Sequence, residues 1–171
     1  MTECVKWVNH VEVISHGDYW VNNLMFKYEN RSPEPTAVRM LDFQFCRYLH
    51  PAIDVAQLIF TCTTKQLRKI CLHALLSDYH KTFRYTMREL GTPVRRFEIE
   101  DFTKDFHTAS QYAFIHACYF LPVALTSPNI INSLISAGKK FSEIRAYIMD
   151  TSEDEMLKIR IVQLLDDWLD C

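Results

Sequence analysis

Glycine is scarce in this chain, with three residues in 171: Gly17, Gly91 and Gly138. A G-x-G-x-x-G turn or a Walker A loop needs at least two glycines close together, so neither phosphate-cradling loop is present. Any handling of phosphate must then come from acidic residues that hold a metal, or from a segment outside this sequence. The six cysteines form no C-x-x-C pair, which argues against a zinc ribbon or a thioredoxin-type site. His10, His73, His80, His107 and His116 show neither H-x-x-x-H nor H-E-x-x-H spacing, which argues against a zinc centre. Positive charge is not in excess: the formal net charge is -2, so neither nucleic acid nor a membrane surface is an expected partner. No apolar run approaches the length of a membrane span. The first six residues, with acidic Glu3, do not read as a secretory signal. The expectation is a soluble cytoplasmic protein whose thiols stay reduced and behave as small hydrophobes.

What is present is an ordinary globular balance, 49% hydrophobic and 23% charged, and enough chain for one domain with a real core. Val11, Val13 and Ile14 predict a strand. Leu24 to Tyr28 alternates with Leu24, Phe26 and Tyr28 on one face, and Val38 to Leu41 reads as its partner across a proline-bearing turn at Glu29 to Thr36. After this hairpin the chain turns helical. Ala52 to Phe60 is apolar on most sides and predicts a buried helix. Thr63 and Gln66 have capping-box spacing, and an apolar stripe from Leu67 through Tyr79 and Phe83 to Leu90 predicts a long helix that Gly91 and Pro93 end. A further helix is expected from about Glu98 to Leu125, with His107 and Pro122 as possible breaks and Phe102, Phe106, Ala109, Ala113, Phe114 and Ala117 on one side. Ser127 to Asn129 reads as a turn and Ser142 to Met149 as a short helix. Ser152 and Glu155 open a final helix, with Met156, Ile159, Leu164, Leu165 and Trp168 facing the core. A small β-unit followed by a helical body is an α+β pattern.

One segment carries chemistry. His16-Gly17-Asp18-Tyr19-Trp20-Val21-Asn22-Asn23 satisfies H-x-D-x-x-x-x-N, the spacing of a kinase catalytic loop. Asp42-Phe43 follows 19 residues after Asn23, behind an apolar strand, where a kinase carries its metal-binding D-F-G-type Asp. The hairpin gives the spacing its meaning. Asn23 precedes the first strand and Asp42 follows the second, and those two ends are neighbours in an antiparallel pair. A neutral oxygen and a carboxylate at one point suit Mg²⁺, with ATP phosphates and water completing the shell. Asp18 lies where a substrate hydroxyl would attack and could take its proton. The three-residue motif alone is weak; loop, hairpin and D-F together are more specific.

The run Ser15 to Tyr28, the stretch Leu41-Asp42-Phe43-Gln44, Arg47-Tyr48 with Pro51-Ala52-Ile53-Asp54, Phe60 to Arg68, and Tyr79-His80 resemble the ecdysteroid kinase-like family. The double Asn after Trp20 and the Gln after Asp42-Phe43 distinguish it from aminoglycoside and choline kinases. The resemblance implies the mostly helical C-terminal lobe of a protein-kinase-like fold, spanning residues 1–171 as one partial domain. It implies ATP- and Mg²⁺-dependent phosphorylation of a hydroxyl on a small lipophilic molecule such as an ecdysteroid. Carried onto this chain, Asp18 is the catalytic base, Asn23 and Asp42 are the cofactor-binding metal ligands, and His16 is architectural. Asp54 braces the loop by accepting backbone N–H bonds. Only fifteen residues precede His16, so the family's nucleotide-gripping lobe is expected to be missing. That leaves an apolar face for a partner to cover, and weak activity or none in isolation.

Two other classes stay open. A non-catalytic, pseudokinase-like binding or regulatory fragment is favoured by the missing lobe. A metal-dependent phosphoesterase built on the Gly17-Asp18 and Asn22-Asn23 pairs lacks a second, His-rich metal set. Tyr19 and Trp20 beside the loop, and Phe102, Phe106, Phe114 and Phe120 along the later helix, fit packing better than substrate contact.

Overall fold

A computed structural model describes residues 6–8, 11–29, 32–94, 97–152 and 155–169, with side chains in the last segment up to Asp166. His10, Cys4, Cys171 and the side chain of Trp168 lie outside the described residues. The protein is α+β: two small antiparallel sheets and six helices among the described residues. The chain divides into two compact units, Met1–Ala113 and Phe114–Cys171.

In the first unit the alternating run becomes β2 (Leu24–Tyr28), paired with β3 (Pro35–Met40). Leu24 faces Met40 and Phe26 faces Val38, and after a register shift between Lys27 and Tyr28, Tyr28 faces Pro35, so one face of the hairpin is mostly apolar. The short β1 (Val13–Ser15) does not join this hairpin. It pairs with β4 (Arg47–Leu49), a strand too short to show a sequence pattern.

Helix α1 (Ala52–Cys62) is buried, as its composition predicts, with Ala52, Ile53, Ala56, Ile59 and Phe60 in the core. Its neighbour α2 (Lys65–Glu89) starts one residue later than the expected cap: the Thr64 hydroxyl, not that of Thr63, accepts the Leu67 N–H at 3.3 Å. Thr63 instead ends α1, and its carbonyl accepts from Arg68, whose guanidinium lies 5.2 Å over the Phe60 ring. The stripe on α2 is only partly covered. Tyr79 and Phe83 stack into an aromatic cluster with Phe97 and Phe102, whereas Leu67, Ile70, Leu75 and Leu90 are exposed.

Gly91 stops α2 in the left-handed conformation, φ +72°, and the paired bonds Gly91 N–H to Arg88 C=O and Thr92 N–H to Met87 C=O form a Schellman cap. Nothing lies within 4 Å of an added Cβ there. Gly91→Ala should therefore cost only the left-handed penalty, about 1–2 kcal/mol, read as a lower urea midpoint with an unchanged slope.

Helix α3 (Ile99–Ala124) runs unbroken through His107, with Pro122 inside its last turn. Phe102, Phe106, Ala109 and Ala113 are buried, and Phe106 stacks on Phe60. Fully buried Asp105 accepts the Val8 N–H at 2.6 Å and lies 3.3 Å from the buried His50 ring, on which Trp7 stacks.

In the second unit Ser127 to Asn129 is not a free turn. Pro128 occupies the first turn of α4 (Pro128–Ser136), where its missing N–H costs nothing. Helix α5 (Phe141–Thr151) opens with the Glu143 carboxylate accepting the Lys140 N–H at 2.8 Å. Ile144 and Ile148 of α5 pack with Leu157 of α6 (Glu155–Leu169). In α6, Leu157 and Leu164 are buried, while Met156, Ile159 and Leu165 are exposed, so the core stripe is narrower than the sequence predicted. Among the described residues no single helix is long and apolar enough to cross a membrane.

Candidate active site

The loop between β1 and β2 carries His16, Asp18 and Asn23. Gly17 has φ +79°, and a Cβ there would run into the Phe45 carbonyl, so only glycine lets the turn Phe43–Phe45 pass this close. The His16 ring is buried. Its Nε2 bonds the Leu41 carbonyl at 2.7 Å, which places the proton on that nitrogen, and it packs against Phe43 and Tyr19. His16 thus ties the start of the loop to the far end of the hairpin.

Asn23 closes a single tight turn, Val21–Asn23, through its N–H to the Trp20 carbonyl. Its side-chain nitrogen donates to the Asp18 backbone carbonyl at 2.8 Å and to the Asp18 carboxylate at 2.9 Å. With the nitrogen committed to Asp18, the Asn23 side-chain oxygen is left as the acceptor end.

The hairpin then brings the second carboxylate round. The Asn23 carbonyl accepts the Leu41 N–H at 2.9 Å, so Asp42 follows directly on the residue paired with Asn23. Among the described residues Asp42 is the one non-glycine with positive φ, at 58°. Its carboxylate accepts from the Gln44 side chain at 3.0 Å. A left-handed Asp costs about 1–2 kcal/mol, and such outliers concentrate where function fixes the backbone.

Helix α1 holds the loop from beneath. Asp54 accepts the His16 N–H at 2.6 Å and the Gly17 N–H at 3.0 Å. Fully buried Gln57 accepts the Tyr19 N–H at 3.0 Å, and the Cys62 sulfur accepts the Val21 N–H at 3.2 Å. Burial pushes the Asp54 carboxyl up, outweighing the two N–H bonds and the nearby His16 and Arg47, which act the other way. Burial, with the Asp54 charge second, also raises the phenols of Tyr19 and Tyr79, keeping both neutral. Gln57 and Cys62 escaped the sequence reading. A lone amide inside an apolar helix was the available signal, since a buried amide needs partners.

Among the described residues no cluster of three or more His, Cys, Asp or Glu could hold a metal alone. The donors at this site are oxygens only, one amide and one or two carboxylates. That set fits a hard cation whose remaining ligands come from phosphate and water, and does not fit zinc.

The model of the ecdysteroid kinase-like family matches residues 1–92. The chain belongs to the ecdysteroid kinase-like family. No curated protein and no solved structure matches the chain. Membership makes the chain kinase-like, with phosphoryl transfer and the use of ATP as the family's general chemistry. The match takes in the loop, the hairpin, α1 and α2, and ends at Thr92, whose N–H closes the α2 cap.

Proposed function

We propose that this chain carries the catalytic-loop part of an ATP- and Mg²⁺-dependent phosphotransferase that acts on a hydroxyl of a small, lipophilic, ecdysteroid-like molecule. The observation that carries the reading is the convergence of Asp18, Asn23 and Asp42: Asn23 is bonded through its side chain to Asp18 and through its backbone to the residue before Asp42. Asp18 accepts the proton of the attacking hydroxyl. Asn23 and Asp42 offer oxygens to Mg²⁺, and His16 and Asp54 hold the loop in place. Bound Mg²⁺–ATP supplies the phosphoryl group and offsets its charge. A cytoplasmic setting, with ATP at hand and thiols reduced, belongs to the same reading.

A second reading has its own support. The sequence has no glycine-rich phosphate loop, and the apolar hairpin face is open, with Phe26, Val38 and Met40 at 39%, 54% and 49% exposure. Both facts fit a chain that grips nucleotide weakly unless a partner covers that face, or a non-catalytic binding fragment.

Thermal unfolding with Mg²⁺–ATP separates the two. A ligand at a hundred times its Kd stabilises by about 2.7 kcal/mol, which raises Tm by several degrees at this size. The phosphotransferase reading expects a Mg²⁺-dependent rise that Asp42→Asn abolishes. An equal rise in the variant removes Asp42 from the site, and no rise at millimolar nucleotide favours the non-catalytic fragment.

A further inference from the structure

The loop is pinned at more places than the motif accounts for. Four of its backbone N–H groups, those of His16, Gly17, Tyr19 and Val21, are accepted by three side chains of one helix, Asp54, Gln57 and Cys62. At 3.6 residues per turn these three positions fall within about 140° of the helix circumference, so one face of α1 serves as a rail of acceptors. Asp18 sits at the centre of that rail. The residue before it is held by Asp54 through the Gly17 N–H, and the residue after it by Gln57 through the Tyr19 N–H.

We infer that Gln57 is a positioning residue for Asp18 and, through Asp18, for Asn23. The inference rests on the phosphotransferase reading only for what those two side chains do. Three observations carry it. Gln57 has no exposed surface, so its amide is held for a partner rather than for solvent. It accepts the Tyr19 N–H, and the Asp18 carbonyl of that same peptide accepts from the Asn23 side chain at 2.8 Å, so loss of Gln57 leaves the peptide held from the Asn23 side alone while Asp54 still holds Gly17. The Asp18 carboxylate bonds the Asn23 side chain at 2.9 Å, a contact with little slack, so a swing of the Asp18 backbone is felt at Asn23. An amide does this work with less desolvation cost than a second carboxylate beside Asp54 would incur.

The test uses the full chain and two variants. Gln57→Met fills the same space without an oxygen acceptor. Gln57→Glu keeps the acceptor. Amide exchange and the side-chain ¹⁵N–¹H signals of Asn23 are read by NMR, and Mg²⁺–ATP affinity by calorimetry. In Gln57→Met the Tyr19 amide should exchange at least about tenfold faster, the Asn23 side-chain signals should move, and Mg²⁺–ATP affinity should fall severalfold, with α1 amides still protected. Gln57→Glu, at a cost in overall stability from the second buried carboxylate, should restore Tyr19 protection and the Asn23 signals. If Gln57→Met does not fold, Gln57→Asn, which draws the acceptor back by one methylene, carries the same measurements. An equally protected Tyr19 amide overturns the inference, as does lost protection with the Asn23 signals unmoved. A wild-type chain that binds no Mg²⁺–ATP, while the variant still frees Tyr19 and shifts Asn23, favours the non-catalytic reading and leaves the anchor standing.

Discussion

Gly17→Ala should cost about 3 kcal/mol or more and abolish any stabilisation by Mg²⁺–ATP. Two separate penalties meet at this position. An L side chain at φ +79° pays the left-handed cost of about 1–2 kcal/mol. The new Cβ would also occupy the space of the Phe45 carbonyl, and that atom is backbone, which cannot rotate away as a side chain would. Relief requires moving either the loop or the Phe43–Phe45 turn, and both are tied. His16 and Gly17 are bonded to Asp54, and Phe43 packs on the His16 ring. Any shift therefore separates Asp18 from Asp42. Gly91→Ala is the control, because it carries the same positive φ with open space around the Cβ. Urea unfolding of the two variants side by side checks the claim. Equal losses would show that the Phe45 contact yields easily and that Gly17 is required for its φ alone.

The geometry of the candidate site was legible in the sequence because its parts are local. The loop from His16 to Asn23 is eight consecutive residues, the alternation in Leu24 to Tyr28 shows the first strand, and Asp42 returns to Asn23 by hairpin geometry alone. The end of α2 was legible for the same reason, since Gly91 writes its own conformation into the chain. Long-range pairing was not. The β1–β4 ladder joins strands of three residues, too short for periodicity to register. The rail on α1 joins residues 37 to 41 positions apart, and no composition rule says which buried amide meets which loop.

Other misreadings came from local rules with two outcomes. Pro128 was read as punctuation, yet a proline opens a helix as readily as it ends one. Thr63 and Thr64 are adjacent capping candidates, and the choice fell to Thr64 because Thr63 already closes α1 and receives Arg68. The stripes on α2 and α6 overstate burial because periodicity reports which face is apolar, not whether anything covers it. The left-handed Asp42 left no trace at all, because Asp is an ordinary residue before a tight turn.

Asp54 is where stability and the site are most tightly joined. Asp54→Ala should lose about 2–4 kcal/mol, because it orphans the His16 and Gly17 N–H groups at about 1–3 kcal/mol each, less whatever water can recover. Asp54→Asn should lose less, since one oxygen remains to accept one of the two. The pH dependence distinguishes burial from hydrogen bonding as the larger influence on this carboxyl. Burial raises its pKa in the fold, so the folded state binds the proton more tightly than the unfolded chain does. That contribution is full below the ordinary aspartate value, about 4, and is lost as pH rises through the higher folded value. Asp54→Asn has no such proton. The stability gap between wild type and Asp54→Asn should therefore widen as pH falls through that window, which urea unfolding at a series of pH values measures. A constant gap would mean that the carboxyl titrates as in the unfolded chain. A shrinking gap would mean that the two N–H bonds hold the charged form more strongly than burial opposes it, and Asp54 would then be a low-pKa anchor that lets go of the loop in acid.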